Sequence, residues 1–248
     1  MPRLPRSPEA DGRQSRWDDH NAERRILVLE AAVALIEQLP SGSEIHVQQI
    51  AEKAGLIRTV VYRHFNGRAD LNRAVQAHIV SKARDAVASG VVLSGTTVEM
   101  IQRIVGSYVD WVAEHPTLHE VAERALGDGL PGELDLAIRS ATDRFSTLIR
   151  TGAKLLGITL DDAQTAALDL LVVGLIGQVR GTVGLWIRRP ERLPSERELT
   201  TLLSQWIWFQ IDGQAKALGV ALDPTVSLEQ LAESRTRTRS QGTTPRHR

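Results

Sequence analysis

Arg58, Thr59, Tyr62 and Arg63 recur at one-and-four spacing inside "GLIRTVVYRHFNGRADL", Gly55 to Leu71. On a helix that spacing puts all four on one face. A guanidinium near a helix start, here Arg58, can form two parallel hydrogen bonds to a guanine edge, worth ~1–3 kcal/mol of base discrimination. Thr59 adds a hydroxyl and a methyl, the latter suited to thymine. Gln48 and Gln49 open a preceding apolar-patterned stretch, where backbone N–H groups at a helix start favour phosphate. Arg68, with the start of the helix after it, could hold one more phosphate. Taken alone, Arg58 and Arg63 read as a solvated helix face; the motif around them favours DNA contact.

Two further sets could carry chemistry. Gln178 and Arg180 lie inside an otherwise apolar segment, Leu168 to Ile187, and polar groups there need partners. An anionic head group suits Arg180, and so does a carboxylate of the same chain. His115, His119 and Glu123 are four apart, a spacing that can bind zinc. Pro116 makes His115 a helix cap, however, and no fourth ligand stands nearby. A polar helix face is the preferred reading.

The elements that must position these residues are helical throughout. Apolar residues recur at three and four, aromatics are only 4% of the chain, and strand-like alternation is rare. The β-branched run Thr59-Val60-Val61 favours a strand locally. A short helix stabilised by packing overrides that preference. Val61 and Phe65 would face inward, onto Ile50 and the first helix. Ala51 is small where two helices cross closely, and Gly55 falls in the turn between them, where positive φ is easiest without a Cβ. Together these residues make a helix-turn-helix pattern.

Along the chain, residues 1–17 read as a disordered basic arm, and a first helix runs from Asp18 or Asp19 to Leu39. Short helices are expected from Val47 to about Gly55 and on to Phe65, then a longer one to Ser89. Beyond Gly95 the helices are placed near 96–114, 116–127, 131–156, 161–189 and 195–218. The basic tail, 223–248, reads as disordered. The expected domains are 18–66, carrying the helix-turn-helix, and 67–222, a larger helical body.

"AGLIRTVVYRHFNGRADL" resembles the DNA-binding domain of the TetR (tetracycline-repressor) family of transcriptional regulators. Tyr62, His64, Phe65, Arg68 and Leu71 match the family signature in order and spacing, and the likeness is specific over residues 22–71. It implies an all-α chain: an N-terminal three-helix domain with a helix-turn-helix, then a helical ligand-binding and dimerisation domain. It implies that Tyr62 and His64 hydrogen-bond phosphates. Two positions depart from the family. Ile57 replaces a capping hydroxyl and Val60 a second hydroxyl, which changes the base sequence read and could favour thymine methyls. Arg13, Arg16, Arg24 and Arg25 lie where an arm could reach a minor groove, or they belong to a solubilising tail.

The resemblance also implies homodimers formed by the last two long helices. Gly174, Gly177, Gly181 and Gly184 make one small-residue stripe, each glycine costing ~1 kcal/mol against alanine unless a close contact compensates. Leu199, Leu202, Leu203, Trp206 and Gln210 make a second stripe, with Trp208 and Phe209 beside it. An effector pocket is expected among Tyr108, Trp111, Phe145, Gln178, Arg180 and Trp186, for an apolar ligand with an anionic group.

The 248-residue chain has 30 basic and 30 acidic side chains, so any DNA binding must be local. It has no cysteine, which excludes thiolate metal sites and fits a reducing cytoplasm. "MPRLPRSPEADGRQSR" lacks the apolar core of a signal peptide. The segment 168–187 imitates a membrane span. An ionised Arg180 at its centre would cost at least ~2.5 kcal/mol in lipid, so a buried helix is expected. The sequence thus points to a non-enzymatic, ligand-released repressor that binds a palindromic operator as a homodimer and needs no cofactor. The alternatives are a metal-dependent helical hydrolase and a helical adaptor without a DNA role.

Overall fold

The computed structural model describes residues 8–40, 42–124, 132–155, 157–227 and 230. Among them are nine helices: α1 (Pro8–Gln38), α2 (Val47–Lys53), α3 (Arg58–His64), α4 (Gly67–Ser89), α5 (Thr97–Glu114), α6 (Pro116–Glu123), α7 (Glu133–Leu155), α8 (Asp162–Ile187) and α9 (Glu196–Ala217). The only β-pairing among the described residues is a single bridge between Thr96 and Ser227.

Three long helices start where local chemistry dictates. Thr96, Asp161 and Ser195 each accept a hydrogen bond from the N–H three residues on, belonging to Glu99, Gln164 and Glu198. The side chains of those three residues reach back to the capping backbone at 2.7, 3.0 and 2.9 Å. Each box satisfies two otherwise orphaned donors, and such a cap contributes about 1 kcal/mol.

The two ends differ from expectation. α1 begins at Pro8, so residues 8–17 of the expected arm are helical; proline at a first helical position forfeits no hydrogen bond. Residues 223–227 are not loose tail. Asp223 accepts from the N–H and the hydroxyl of Thr225 at 2.8 and 2.6 Å, closing a turn. Residues 1–7, 228–229 and 231–248 lie outside the described residues.

Packing divides the chain into two units. Unit 1 comprises Met1–Val80 with Thr117–Glu133, and unit 2 comprises Ser81–Pro116 with the chain from Leu134. The division falls inside α4 instead of at 66/67, because the first half of α4 buries Leu71, Val75, Gln76 and Ile79. In unit 1, α1, α2 and α3 pack on one another around Val28, Ala32, Val47, Ile50, Ala51, Val61 and Phe65. Gln76 ties α4 to the end of α6. Only 2% exposed, it donates Nε2 to the carbonyls of Val121, Ala122 and Arg124, at 3.2, 3.2 and 2.7 Å. These are the carbonyls a helix end leaves unpaired.

In unit 2, α5 packs along α9 and against α8. Val105, Val109 and Val112 of α5 are buried, as are Leu199, Leu203 and Ile207 of α9. α8 corrects the expectation of a buried helix. It is the one helix among the described residues long and apolar enough to cross a membrane, yet only 28% of its most apolar window is buried. Leu168, Val172, Leu175, Val183 and Trp186 face inward, while Leu170, Gly174, Gly177, Gly181 and Leu185 are exposed on the other side.

Candidate nucleic-acid interface

The turn between α2 and α3 forms because Gly55 takes φ +66°, a left-handed conformation that suits glycine. Around it the Gly55 N–H donates to Glu52 O at 3.1 Å and the Leu56 N–H to Ala51 O at 2.8 Å. α3 then starts at Arg58, preceded by Ile57 at the capping position, which has extended backbone and makes no side-chain cap. Val61 and Phe65 anchor the helix; both are buried. Arg58, Thr59, Tyr62 and Arg63 are all exposed. The Arg58 guanidinium lies 5.4 Å from the Tyr62 ring centroid, with Nη2 3.5 Å from the phenolic oxygen. That stacking holds the fork and the phenol side by side before any ligand arrives.

The flanking residues play more divided parts. Gln48 is exposed and donates Nε2 to Glu52 Oε1 at 2.7 Å. The Gln49 Oε1 accepts from the His46 N–H at 2.8 Å, so this side chain caps α2. At the start of α4, Gly67 has φ +86° and Arg68 is half-buried. The Asn66 N–H there donates to Asp70 Oδ2 at 2.8 Å, so a carboxylate of the chain already satisfies a donor expected to face phosphate. His64 is half-buried, and its imidazole is held below the usual histidine range, first by burial and then by Arg24, Arg25 and Arg63. The folded state thus disfavours protonated His64. Stability associated with the neutral ring is fully present above the unfolded value and is lost as pH falls from there through the lower folded value.

The residues expected to line a pocket differ in burial and partners. Trp111 is buried with its ring 5.6 Å from that of His115. Trp186 is buried and donates Nε1 to Pro194 O at 2.7 Å, a fastening between the end of α8 and the start of α9. Gln178 Oε1 accepts from Gln210 Nε2 at 2.8 Å. Tyr108, Phe145 and Arg180 are half-buried. The depression in unit 2, about 450 Å³, is instead lined by Asp135, Ile138, Arg139, Thr142, Asp143 and Val173. Within it Ile138 and Thr142 stand four apart on α7, a spacing the sequence shows directly.

The two stripes expected at a dimer interface also separate. Gly174, Gly177 and Gly181 are exposed, with no atom within 4 Å of an added Cβ, whereas Gly184 is buried. Leu199 and Leu203 are buried within unit 2, so they serve its own core. Leu202 is half-buried, Trp206 and Gln210 are exposed, and Phe209 is 65% exposed. Exposed apolar or small residues are thus Leu170, the three glycines and Leu185 on α8, and Trp206 and Phe209 on α9. His119, read as part of a polar face, is buried and pairs with Glu123 at 3.7 Å. Among the described residues no group of three or more His, Asp or Glu side chains could hold a metal ion.

No protein-family model matches the chain. An uncharacterized HTH-type transcriptional regulator of Mycobacterium tuberculosis, in strains CDC 1551 / Oshkosh and ATCC 25618 / H37Rv, is 29% identical over 113 residues, 44% of this chain and 46% of the relative. The match thus spans about half the length of these curated relatives. Among solved structures, a TetR-family transcriptional regulator from Streptomyces coelicolor superposes with a TM-score of 0.61 at 23% identity, covering 88% of this chain and 89% of that one. A TetR-like transcriptional regulator from Rhodococcus sp. RHA1 gives 0.53 at 19%, over 85% and 100%. The transcriptional regulator FadR from Bacillus subtilis, solved in complex with stearoyl-CoA, gives 0.57 at 15%, over 73% and 96%. The chain has the fold of the TetR-family transcriptional regulators, with the helix-turn-helix in unit 1.

Proposed function

We propose that this protein is a cytoplasmic, sequence-specific DNA-binding regulator that binds a palindromic operator as a homodimer and is released by a small molecule. The observation that carries the reading is α3. Its inner side is anchored by Val61 and Phe65, and its outer side presents Arg58, Thr59, Tyr62 and Arg63. The exposed apolar face of α8 and α9 is suited to a second copy of the chain. Two-fold symmetry would place the half-sites one DNA turn apart, ~34–36 Å.

The unit 2 depression is of the size that holds small ligands, ~300–1,000 Å³. Its lining carries one cation, Arg139, beside the carboxylates of Asp135 and Asp143. Stearoyl-CoA, bound by the FadR neighbour, makes an apolar ligand with an anionic group the first class to screen. Such a ligand releases DNA only if it binds the DNA-incompetent state more tightly.

Selection of random duplexes by the purified protein tests the reading. A palindromic motif is expected. Arg58→Ala should lose about 1–3 kcal/mol of discrimination at one guanine position, and Tyr62→Phe should weaken all sequences alike. No enrichment at low salt by folded, helical protein would overturn the proposal. If His64 meets a phosphate, DNA binding raises its pKa and takes up a proton. Affinity at fixed salt should then rise as pH falls from ~7.5 to ~5.5, and His64→Gln should flatten that slope. A pH-independent affinity in the unsubstituted protein would show that His64 takes up no proton on binding.

A further inference from the structure

Arg25 lies 39 residues before His64, on α1, where the sequence suggests an arm reaching for DNA. Its side chain is half-buried and turned toward α3. Nη1 donates to the carbonyl oxygen of His64, the last residue of α3, at 2.7 Å. The guanidinium carbon lies 4.3 Å from the ring centroid of Phe65, which ends the helix and is 2% exposed. One flat cation thus satisfies an orphaned carbonyl at the negative end of the helix and covers an aromatic face. Lysine could supply the charge but not the planar fork laid on the ring.

The arrangement matters because α3 has only seven residues and its start, at Ile57, lacks a side-chain cap. So short a helix has little stability of its own, and its direction is set by whatever grips it. Val61 and Phe65 supply apolar contact, and Arg25 supplies the directional contact at the C-terminal end. We propose that Arg25 is a positioning residue that fixes the angle at which α3 presents Arg58, Thr59, Tyr62 and Arg63 to DNA, and not a phosphate-binding arm. The proposal rests on the DNA-binding reading of α3.

The test uses the full chain with Arg25→Ala, Arg25→Lys and the neighbouring control Arg24→Ala. Binding is measured to the selected duplex and to a random duplex of equal length across a salt series, with hydrogen exchange of the α3 amides in the free protein. Both Arg25 variants should lose about tenfold or more on the selected duplex. Random-duplex affinity and salt slope should stay unchanged, and α3 should exchange faster at normal helix content. Phe65→Leu, which keeps the carbonyl contact and removes the ring, should fall between them and the unsubstituted protein. A salt slope reduced by about 0.9, with equal loss on both duplexes, would make Arg25 a phosphate contact and overturn the proposal. So would an unchanged ratio between the duplexes. If the unsubstituted protein selects no duplex, the DNA reading fails separately. Unchanged α3 exchange in Arg25→Ala would then show that Arg25 does not hold the helix, and faster exchange that it does.

Discussion

If the protein pairs through α8 and α9 as proposed, Leu170→Asp combined with Phe209→Asp is expected to turn a dimer into a folded monomer. Leu170 is 74% exposed and Phe209 65%, so neither change disturbs the core of unit 2. In a two-fold interface each side chain is buried twice, and each burial contributes about 1.5–3 kcal/mol. Aspartate removes that contribution and adds a desolvated, unpaired charge costing several kcal/mol more. The sum exceeds the ~8 kcal/mol of a micromolar dimer. Sedimentation of both proteins at micromolar concentration, beside their helical circular dichroism, decides the matter. A double variant that remains dimeric would show that the interface lies elsewhere. Gly177→Ala sharpens the test through its sign. Nothing meets the added methyl in a single chain, so it stabilises the isolated helix by about 1 kcal/mol. Against a second helix the same methyl obstructs close approach, and the association constant should fall.

Phe65→Ala is expected to unfold unit 1 well before unit 2. The ring is 2% exposed and closes the inner side of α3 beneath Arg25. Truncating a buried phenylalanine costs about 3–5 kcal/mol, a large share of the ~5–15 kcal/mol that stabilises a domain. Because the chain has two packed units, a single unfolding free energy is not well defined, and calorimetry resolving two transitions is the suitable measurement. The lower transition should move down by on the order of 15 °C or more while the upper one stays. A loss below about 1 kcal/mol would mean that α3 is held chiefly by other contacts.

What could be read directly from the sequence was local. Gly55 marks a turn whatever surrounds it, and the boxes at Thr96, Asp161 and Ser195 span four residues each. The inward pair Val61 and Phe65 follows from a four-residue period. What failed required tertiary knowledge. α9 carries two apolar faces, and periodicity alone does not say which belongs to the chain's own core; burial puts Leu199 and Leu203 in that core. Trp111, Trp186 and Gln178 looked like pocket walls because aromatic and amide groups amid apolar residues need partners. Each has a partner nearby in the fold, His115, Pro194 and Gln210 respectively. Arg25 reads in the sequence as either a groove-reaching arm or a solubilising segment, because nothing in its neighbourhood announces a contact 39 residues away.

The hold of Gln76 on α6 limits how this gene can be recombined. Unit 1 is assembled from two stretches of chain, Met1–Val80 and Thr117–Glu133, with α5 encoded between them. A single crossover after codon 80 would carry off α1 to α3 and leave behind the carbonyls of Val121, Ala122 and Arg124 that Gln76 caps. Exchanging the whole unit with that of a relative takes junctions at 80/81, 116/117 and 133/134. Lineages that inherit a new helix-turn-helix through one junction inherit it with a mismatched sixth helix, and position 76 is where selection would first act to repair the fit.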